Sequence, residues 1–395
     1  MIKAKYDVVV IGTGPAGSVA ARFAAENGAS VLMLERDREP GIPVRCAEGV
    51  SQNGIKPFIE IDERWIAAKI DIARLHSPDG NEAFMYNNGT GFVLERRIFD
   101  TALCELACEK GAELLTKADA IDLTKEAGKI TGVKYRHLGE DKEVKCNIVI
   151  GADGVESRVG RWAGIETALK LEDLDTCVQY TLTNIKVDKS CCDFYFGNEV
   201  SPGGYLWIFP KSETSANVGI GVSGHLSDKH SPKDLLDKFI AEKFPNASKT
   251  YTVYGGVPTA KTLKEIVKDN VMIVGDAARQ VNPITGGGIV QGMIAGSIAG
   301  KVAADAVKSS DFSAKFLKTY RTEWDKRLGN NQKVHYSLKE KFFKMPDEKF
   351  NKIVQICKDI PKEKFTVKEL FTQAIKGDPL LVASLAKTFI VSKLK

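Results

Sequence analysis

Gly12-Thr-Gly14-Pro-Ala-Gly17, with Glu35 further on, is a set of residues able to hold the ADP half of a dinucleotide. Gly12 permits a tight turn, Gly14 lets backbone approach a pyrophosphate, and Gly17 lets a helix pack on a strand. Glu35 stands where a carboxylate accepts hydrogen bonds from a ribose, and it disfavours a 2′-phosphate. A second group is Gly275-Asp276-Ala-Ala-Arg279, then Asn282-Pro-Ile-Thr-Gly286-Gly-Gly288-Ile289. An acid at a strand end before a glycine-rich turn that opens a helix suits a second polar patch of an extended cofactor. The plainer reading is a capped turn whose glycines serve helix packing. The third group is Gly151-Ala-Asp153-Gly154-Val-Glu-Ser157-Arg158, either a further ligand contact or a simple turn capped by Ser157. A dinucleotide implies redox chemistry, and the first segment alone leaves NAD and FAD both open.

The elements that must position these residues follow from the apolar pattern. Tyr6 to Ile11 and Ser30 to Leu34 read as short strands flanking an alanine-rich helix over Ser18 to Asn27. Arg38 to Val50 is a turn-rich loop, and Trp65 to Tyr86 reads as an edge of mixed strand and turn. Phe92 to Glu109 is a strand end followed by a helix with Asp100 near its N-cap. Gly111 to Thr116 reads as a strand, Ile121 to Val144 as a meander, and Asn147 onward as a buried strand entering a glycine turn. Residues 176 to 257 alternate apolar residues, aromatics and glycines, which predicts a second, largely antiparallel sheet. Asn270 to Asp276 returns to the parallel-strand pattern. A small-residue helix over Gly287 to Val307 and a lysine-rich helical tail complete the chain. The expected fold class is α/β: a Rossmann-like nucleotide domain (1–55, 90–170 and 260–310), an inserted antiparallel-sheet substrate domain (56–89 and 171–259), and a helical C-terminal region (311–395).

The 395 residues carry a formal net charge of +5 and eight cysteines. No CxxC or zinc-spaced Cys/His cluster is present, so no metal site is expected. Cys104 and Cys108 share one helix face, which points to core packing. No apolar run reaches membrane-spanning length and no signal peptide precedes the first strand, so the expected compartment is the cytosol. Acids interleave with the lysines, which argues against nucleic acid as a partner.

The three glycine-containing groups, in this order and spacing, resemble the flavoproteins of the p-hydroxybenzoate hydroxylase type. Pro43-Val-Arg45-Cys46-Ala47-Glu48-Gly49 and Pro202-Gly-Gly-Tyr205-Leu-Trp207-Ile-Phe209-Pro210 are similar to signatures of the geranylgeranyl reductase family, in particular its archaeal phospholipid-acting branch. The resemblance runs from Tyr6 into the tail. It implies FAD as cofactor, touching Gly12, Gly14, Ala16, Gly17, Glu35, Arg45, Cys46, Ala47, Gly49, Arg96, Ala120, Asp276, Gly288 and Ile289. Arg97 sits beside Arg96, and one of the two has only a surface role. The resemblance further implies saturation of C=C bonds in geranylgeranyl chains of membrane-lipid precursors, with hydride from reduced flavin. The alternatives are an FAD-dependent aromatic hydroxylase of the same fold and a non-catalytic lipid carrier that keeps flavin as a plug. Anaerobic turnover separates the first from the second.

An isolated alkene has no carbonyl to polarise, so positioning must do most of the work. The resemblance, which places Cys46 on the flavin, makes it the candidate catalytic residue, against the alternative of a small apolar contact. Tyr205, Trp207 and Phe209 alternate, so on a strand they share a face and would line a slot for an isoprenoid lipid substrate, or else pack an intersheet core. No second strand–GxGxxG–helix unit marks a site for the electron donor, which is external: reduced ferredoxin, a deazaflavin or NADPH. Lys339-Glu-Lys-Phe-Phe-Lys, Lys362-Glu-Lys-Phe and Leu380 to Lys395 combine lysines with apolar residues. Such a face suits the inner surface of the cell membrane, the alternative being a helical lid with solvated lysines.

Overall fold

The computed structural model describes residues 2–358. The segments Lys362–Phe365 and Leu380–Lys395, read above as membrane-facing, lie outside the described residues.

The chain opens with β1 (Lys5–Ile11), α1 (Pro15–Glu26), β2 (Val31–Leu34), β3 (Gly49–Ser51), α2 (Gln52–Ile55), β4 (Ile66–His76), β5 (Glu82–Leu94) and α3 (Arg96–Glu109). It continues through β6 (Glu113–Leu115), β7 (Ala118–Glu126), β8 (Lys129–His137), β9 (Glu140–Gly151), α4 (Arg158–Trp162), β10 (Asp175–Thr183), β11 (Cys191–Tyr195), β12 (Tyr205–Pro210) and β13 (Ser215–Ser223). Then come α5 (Pro232–Lys243), β14 (Ser248–Val257), β15 (Val267–Lys268), β16 (Val271–Ile273), α6 (Ile289–Ser309), α7 (Ala314–Trp324), α8 (Asn330–Phe342) and α9 (Asp347–Lys358).

Two sheets result. In the first, β6, β2, β1, β9 and β16 run parallel in that order. Val8, Val9 and Val10 of β1 are all buried, as expected for a strand covered on both faces. The β7–β8 hairpin extends the first half of β9, whose second half enters the parallel array. The second sheet has the order β14-β10-β13-β12-β11-β4-β5-β3 and is antiparallel except where β11 pairs β4. Trp65 to Tyr86 is therefore no edge: β4 lies inside this sheet, and β3 and the end of β5 belong to it rather than to the nucleotide half.

Helices α1 and α6 touch backbone to backbone. Gly292, Gly296 and Gly300 recur every fourth residue, so they form one ridge. A Cβ at Gly296 would sit 2.2 Å from the Ala16 carbonyl oxygen, and one at Gly300 would sit 2.2 Å from that of Ala20. On the second sheet, Leu206 and Ile208 pack with Leu236 and Ile240 of α5, while Trp207 and Phe209 face the opposite way onto Ala68, Ile70 and Val93. Helices α8 and α9 bury Phe342, Phe350 and Ile353 against Leu75 and Ala83 of the β4–β5 hairpin.

Three expectations need correction. Asp100 is not near the cap of α3, where Glu95 stands; it is buried one turn in, paired with Arg96. Cys104 packs against Ser18, but Cys108, a full turn later on α3, is exposed. Lys339 is buried with Phe342 and Phe343, so of the lysines in the 339–344 segment only Lys341 and Lys344 keep surface open to solvent. Among the described residues no helix is long and apolar enough to cross a membrane.

Candidate active site

The first glycine turn has the geometry its residues call for. Gly12 has φ +94°, and a Cβ there would meet the Ala152 carbonyl oxygen at 2.4 Å. A Cβ at Gly17 would meet the Gly12 carbonyl oxygen at 1.9 Å, so helix and turn interlock. At Gly14 a Cβ would meet nothing within 4 Å. That open volume lies at the start of α1, whose cap has no side-chain hydrogen bond. Ser51, Ser231 and Ser313 by contrast cap α2, α5 and α7 through their hydroxyls. Glu35 closes β2 and accepts from Thr13 N at 3.1 Å, Thr13 Oγ1 at 2.6 Å and Asp37 N at 2.9 Å, which fixes its carboxylate beside the turn. Ala120 is buried on β7, two residues beyond the backbone bond from Ala118 N to the Glu35 carbonyl oxygen.

The other two motifs converge on the same helix start. Ser157 does not cap a helix; its hydroxyl donates to the Ala277 carbonyl oxygen at 2.8 Å and ties the Asp153–Gly154 turn to the Asp276 turn. A Cβ at Gly275 would lie 2.9 Å from the Ala16 side chain, and one at Gly292 would lie 3.2 Å from it. Ala16 is thus the meeting point of α1, the Asp276 turn and α6. Gly288 caps α6 with no side chain to offer, ahead of Ile289, and a Cβ at Gly288 would be 3.1 Å from Asp276 Oδ1. Burial pushes the Asp276 carboxyl up to about 6, against the pull of Arg96.

Arg96 and Arg97 separate cleanly. Arg97 is exposed and pairs with Glu39 at 2.8 Å. Arg96 is largely covered, binds Asp100 through two 2.7 Å hydrogen bonds, and faces both the Cys46 thiol and Asp276. Its own backbone N–H donates to Glu48 Oε1 at 3.0 Å. Glu48 is buried, and its Oε2 accepts from Lys211 at 2.7 Å and Asn217 at 2.6 Å. One carboxylate thereby locks the Cys46–Gly49 loop to α3 and to β13. Burial pushes the Cys46 thiol up, with Arg96 opposing, so it stands as a neutral thiol. Ala47 is partly buried beside Trp207 and Phe209, whereas Arg45 is exposed.

The aromatic stripe meets this loop. A Cβ at Gly49 would strike the Phe209 ring at 2.5 Å. Trp207 Nε1 donates to Gln179 Oε1 at 3.0 Å, and Gln179 Nε2 donates to the Cys46 carbonyl oxygen at 3.0 Å. Tyr205 donates to the Thr285 carbonyl oxygen at 2.6 Å, in the glycine loop before α6. Trp207 and Phe209 are only 8% and 9% exposed, so both pack closely; Tyr205 keeps more open surface. From Tyr205 an aromatic run continues through Phe196, at 6.0 Å between ring centroids, to Phe342 at 5.8 Å from Phe196.

Glu48, Lys211, Asn217 and Gln179 were not singled out as site residues from sequence. Glu48 lies in the quoted loop motif, but its partners come from strands far along the chain, and no local signal marks them. The glycines of Gly219-Ile-Gly221-Val-Ser-Gly224 have the nucleotide-type spacing yet lie on β13 and its end, where the first makes room for Trp207: a Cβ at Gly219 would sit 2.4 Å from the indole.

The residues present fit FAD. Two glycine-started helices, α1 and α6, direct uncapped N–H groups to one side of Ala16, and the open volume at Gly14 is where a pyrophosphate would approach. Gly12, Gly14, Ala16, Gly17 and Glu35 would hold the adenylate end. Asp276, Gly288, Ile289, Arg96 and the Cys46–Gly49 loop would hold the flavin end.

The chain is similar to known proteins along nearly its whole length. The FAD dependent oxidoreductase family matches residues 7–192, and the geranylgeranyl reductase catalytic domain matches residues 173–257. A digeranylgeranylglycerophospholipid reductase of Methanosarcina acetivorans is 43% identical over 391 residues, covering 97% of this chain and 96% of that one. A crystal structure of a geranylgeranyl bacteriochlorophyll reductase-like protein from Thermoplasma acidophilum superposes with a TM-score of 0.92 at 36% identity, over 97% of this chain and 99% of that one. The flavin-dependent brominase Bmp2, at 20% identity and a TM-score of 0.71 over 94% of this chain and 98% of that one, shares the fold. With its glycine turns, cysteine loop and aromatic stripe set in these two sheets, the chain belongs to the geranylgeranyl reductase family of FAD-dependent oxidoreductases.

Proposed function

We propose that this chain saturates C=C bonds in the geranylgeranyl chains of membrane-lipid precursors such as digeranylgeranylglycerophospholipids. The observation that carries the reading is the meeting, at one place, of the Cys46 loop, the glycine start of α6 and the Tyr205–Trp207 stripe. When bound, reduced FAD supplies the hydride. The protein's part is positioning. Gln179 clamps Trp207 to the Cys46 backbone, so the indole is held at a fixed height over the loop. Glu48, itself paired to Lys211, holds that loop rigid against α3. Tyr205 presents the open part of an apolar wall for the isoprenoid, backed by the packed Trp207 and Phe209 and continued by Phe196 toward Phe342 and α9, and neutral Cys46 is the small contact nearest the reacting carbon. Orientation of this kind contributes roughly 7–11 kcal/mol in favourable cases, and the apolar wall excludes water from the reduced cofactor.

Electrons come from an external donor: reduced ferredoxin, a deazaflavin or NADPH. A lipid substrate brings the enzyme to the inner surface of the cell membrane, and the lysine-rich sequence beyond residue 358 has the composition suited to that contact. The test is mass spectrometry of digeranylgeranyl lipids after anaerobic incubation with the holoenzyme and dithionite. Gain of two hydrogens per double bond is expected. No mass gain without oxygen, or an added oxygen atom when air is admitted, would remove the reading.

A further inference from the structure

Saturating a double bond takes a proton as well as a hydride, and two groups at the aromatic stripe hold their protons tightly. Burial raises both the Cys46 thiol and the Tyr205 phenol. Asp175, the first residue of β10, is different. Its Oδ1 is buried and has no hydrogen-bond partner. Such an orphaned oxygen is costly, and in a native protein it calls for an explanation.

Strand register places this carboxyl at the active site. Strands β10, β13 and β12 lie side by side, with Cys177, Gly221 and Tyr205 in one row and Gln179, Gly219 and Trp207 in the next. Alternation puts Asp175, Cys177 and Gln179 on one face. Gln179 grips both Trp207 and Cys46, so that face looks onto the cofactor loop. The β13 partners of Cys177 and Gln179 are Gly221 and Gly219, so those two rows carry no intervening side chain, while Asp175 itself pairs with Ser223. A Cβ at Gly221 would lie 3.2 Å from Cys177 Sγ and 3.8 Å from both Asp175 Cβ and Trp207 Cζ3.

The groups facing Asp175 come from three other elements. Thr259, after β14, and Lys339, on α8, pull its carboxyl down; burial outweighs them and lifts it to about 6. Tyr205 of β12 and Cys177 of β10 lie close enough to feel its charge. Lys339 Nζ donates to the carbonyl oxygens of Glu172 at 3.0 Å and Thr259 at 2.9 Å, and it reaches Thr259 Oγ1 at 3.4 Å. Asp173 and Glu340 stand 3.9 and 3.8 Å from the same ammonium, and the Tyr336 ring lies 5.3 Å away.

We propose that Asp175 is the acid that protonates the alkene carbon not attacked by hydride, with Thr259 and Lys339 as its positioning residues. This inference rests on the reductase reading above. The alkene π pair takes the proton, and the Asp175 O–H bond breaks with its electrons left on the carboxylate. The hydride pair makes the second C–H bond as the cofactor is oxidised. The new carboxylate is stabilised by Lys339 and regains a proton from water.

The test is single-turnover reoxidation of dithionite-reduced holoenzyme by unsaturated lipid, without oxygen, across about pH 5 to 8. In the wild type the rate falls as pH rises through the Asp175 value of about 6. Asp175→Asn should be slower by roughly 10²–10⁴-fold and lose the inflection, while oxidation of its reduced flavin by oxygen keeps the wild-type rate. A readout without turnover is pH-difference infrared spectroscopy of the oxidised holoenzyme. Two raised carboxyls contribute to the protonated-carboxyl signal titrating near this value; Asp175→Asn removes one contribution and Asp276→Asn the other, and the Asp175 contribution persists in Asp276→Asn. Should Asp175→Asn fail to fold, Lys339→Met leaves the carboxyl in place and moves the kinetic inflection up by about one unit. An Asp175→Asn enzyme with the wild-type pH profile, or an unmoved inflection in Lys339→Met, overturns the assignment. A wild-type enzyme that reduces no lipid at any pH sinks the reductase reading instead.

Discussion

Glycines at identical spacing occur at 12, 14 and 17 and again at 219, 221 and 224; the third of each set meets backbone carbonyls, but the first two use the absent side chain differently. In the first, backbone fills the space at Gly12 and Gly17, and only Gly14 looks onto open volume. The turn is locked, and one position is left for a ligand's phosphates. In the second, Gly219 and Gly221 lie in a flat strand and the vacated space belongs to neighbouring side chains, the Trp207 indole and the Cys177 sulfur. There glycine lets β10 and β12 reach each other across β13. The spacing is shared; the strand–turn–helix context of the first and the strand–strand context of the second decide what it does.

Substitutions to alanine should pull the two stretches apart. Gly17→Ala drives a methyl into the Gly12 carbonyl and should cost about 3 kcal/mol of unfolding free energy, with loss of FAD; denaturant melts of the apoprotein and flavin content after purification read both. A normal yield of yellow protein would mean the turn is not locked as described. Gly219→Ala displaces the indole and breaks its bond to Gln179. The expected cost is about 1–2 kcal/mol, with FAD retained and anaerobic lipid reduction down at least about tenfold, since roughly 1.4 kcal/mol of lost positioning is a factor of ten. Equal loss of flavin and of activity would erase the distinction. Gly14→Ala is the mildest. With nothing near the added methyl, apoprotein stability should stay within about 0.5 kcal/mol, while the FAD dissociation constant rises, measured by flavin fluorescence quenching. Unchanged affinity would show that Gly14 faces no ligand.

What could be read from the chain divides along the same line. The turns at Gly12 and Asp276 were legible because turn chemistry is local: each glycine serves residues a few positions away. The α3 pairing was half legible. Arg96, named through the family resemblance, stands four residues before Asp100 on one helix face, a spacing that by itself favours Arg96 over Arg97. Lys339 was misread because it stands in a lysine-rich run. Yet Gln332, Lys339 and Phe342 fall at spacings that put them on one buried helix face, and a lysine there must find oxygen partners. The Glu48–Lys211–Asn217 lock and the Asp175–Gln179 face were not legible at all. They depend on which strands lie side by side and in what register, and the β10–β13–β12 order is set by the whole sheet rather than by any segment of it.

The glycine ridge between α1 and α6 carries a mechanical consequence. With carbonyls of α1 resting on Gly296 and Gly300 of α6 over two successive turns, and only the Ala16 methyl against Gly292 on the turn before, there is almost no layer of side chains to shear or repack. The pair behaves as a single stiff beam, and the separation of its two cofactor-facing ends is not free to breathe. Any yielding needed to thread a long hydrocarbon must be found elsewhere. The natural place is the cover formed by α9, which is fastened to the second sheet at its rim by such exposed polar contacts as Asn198 with Asp347 and Asp79 with Asn351.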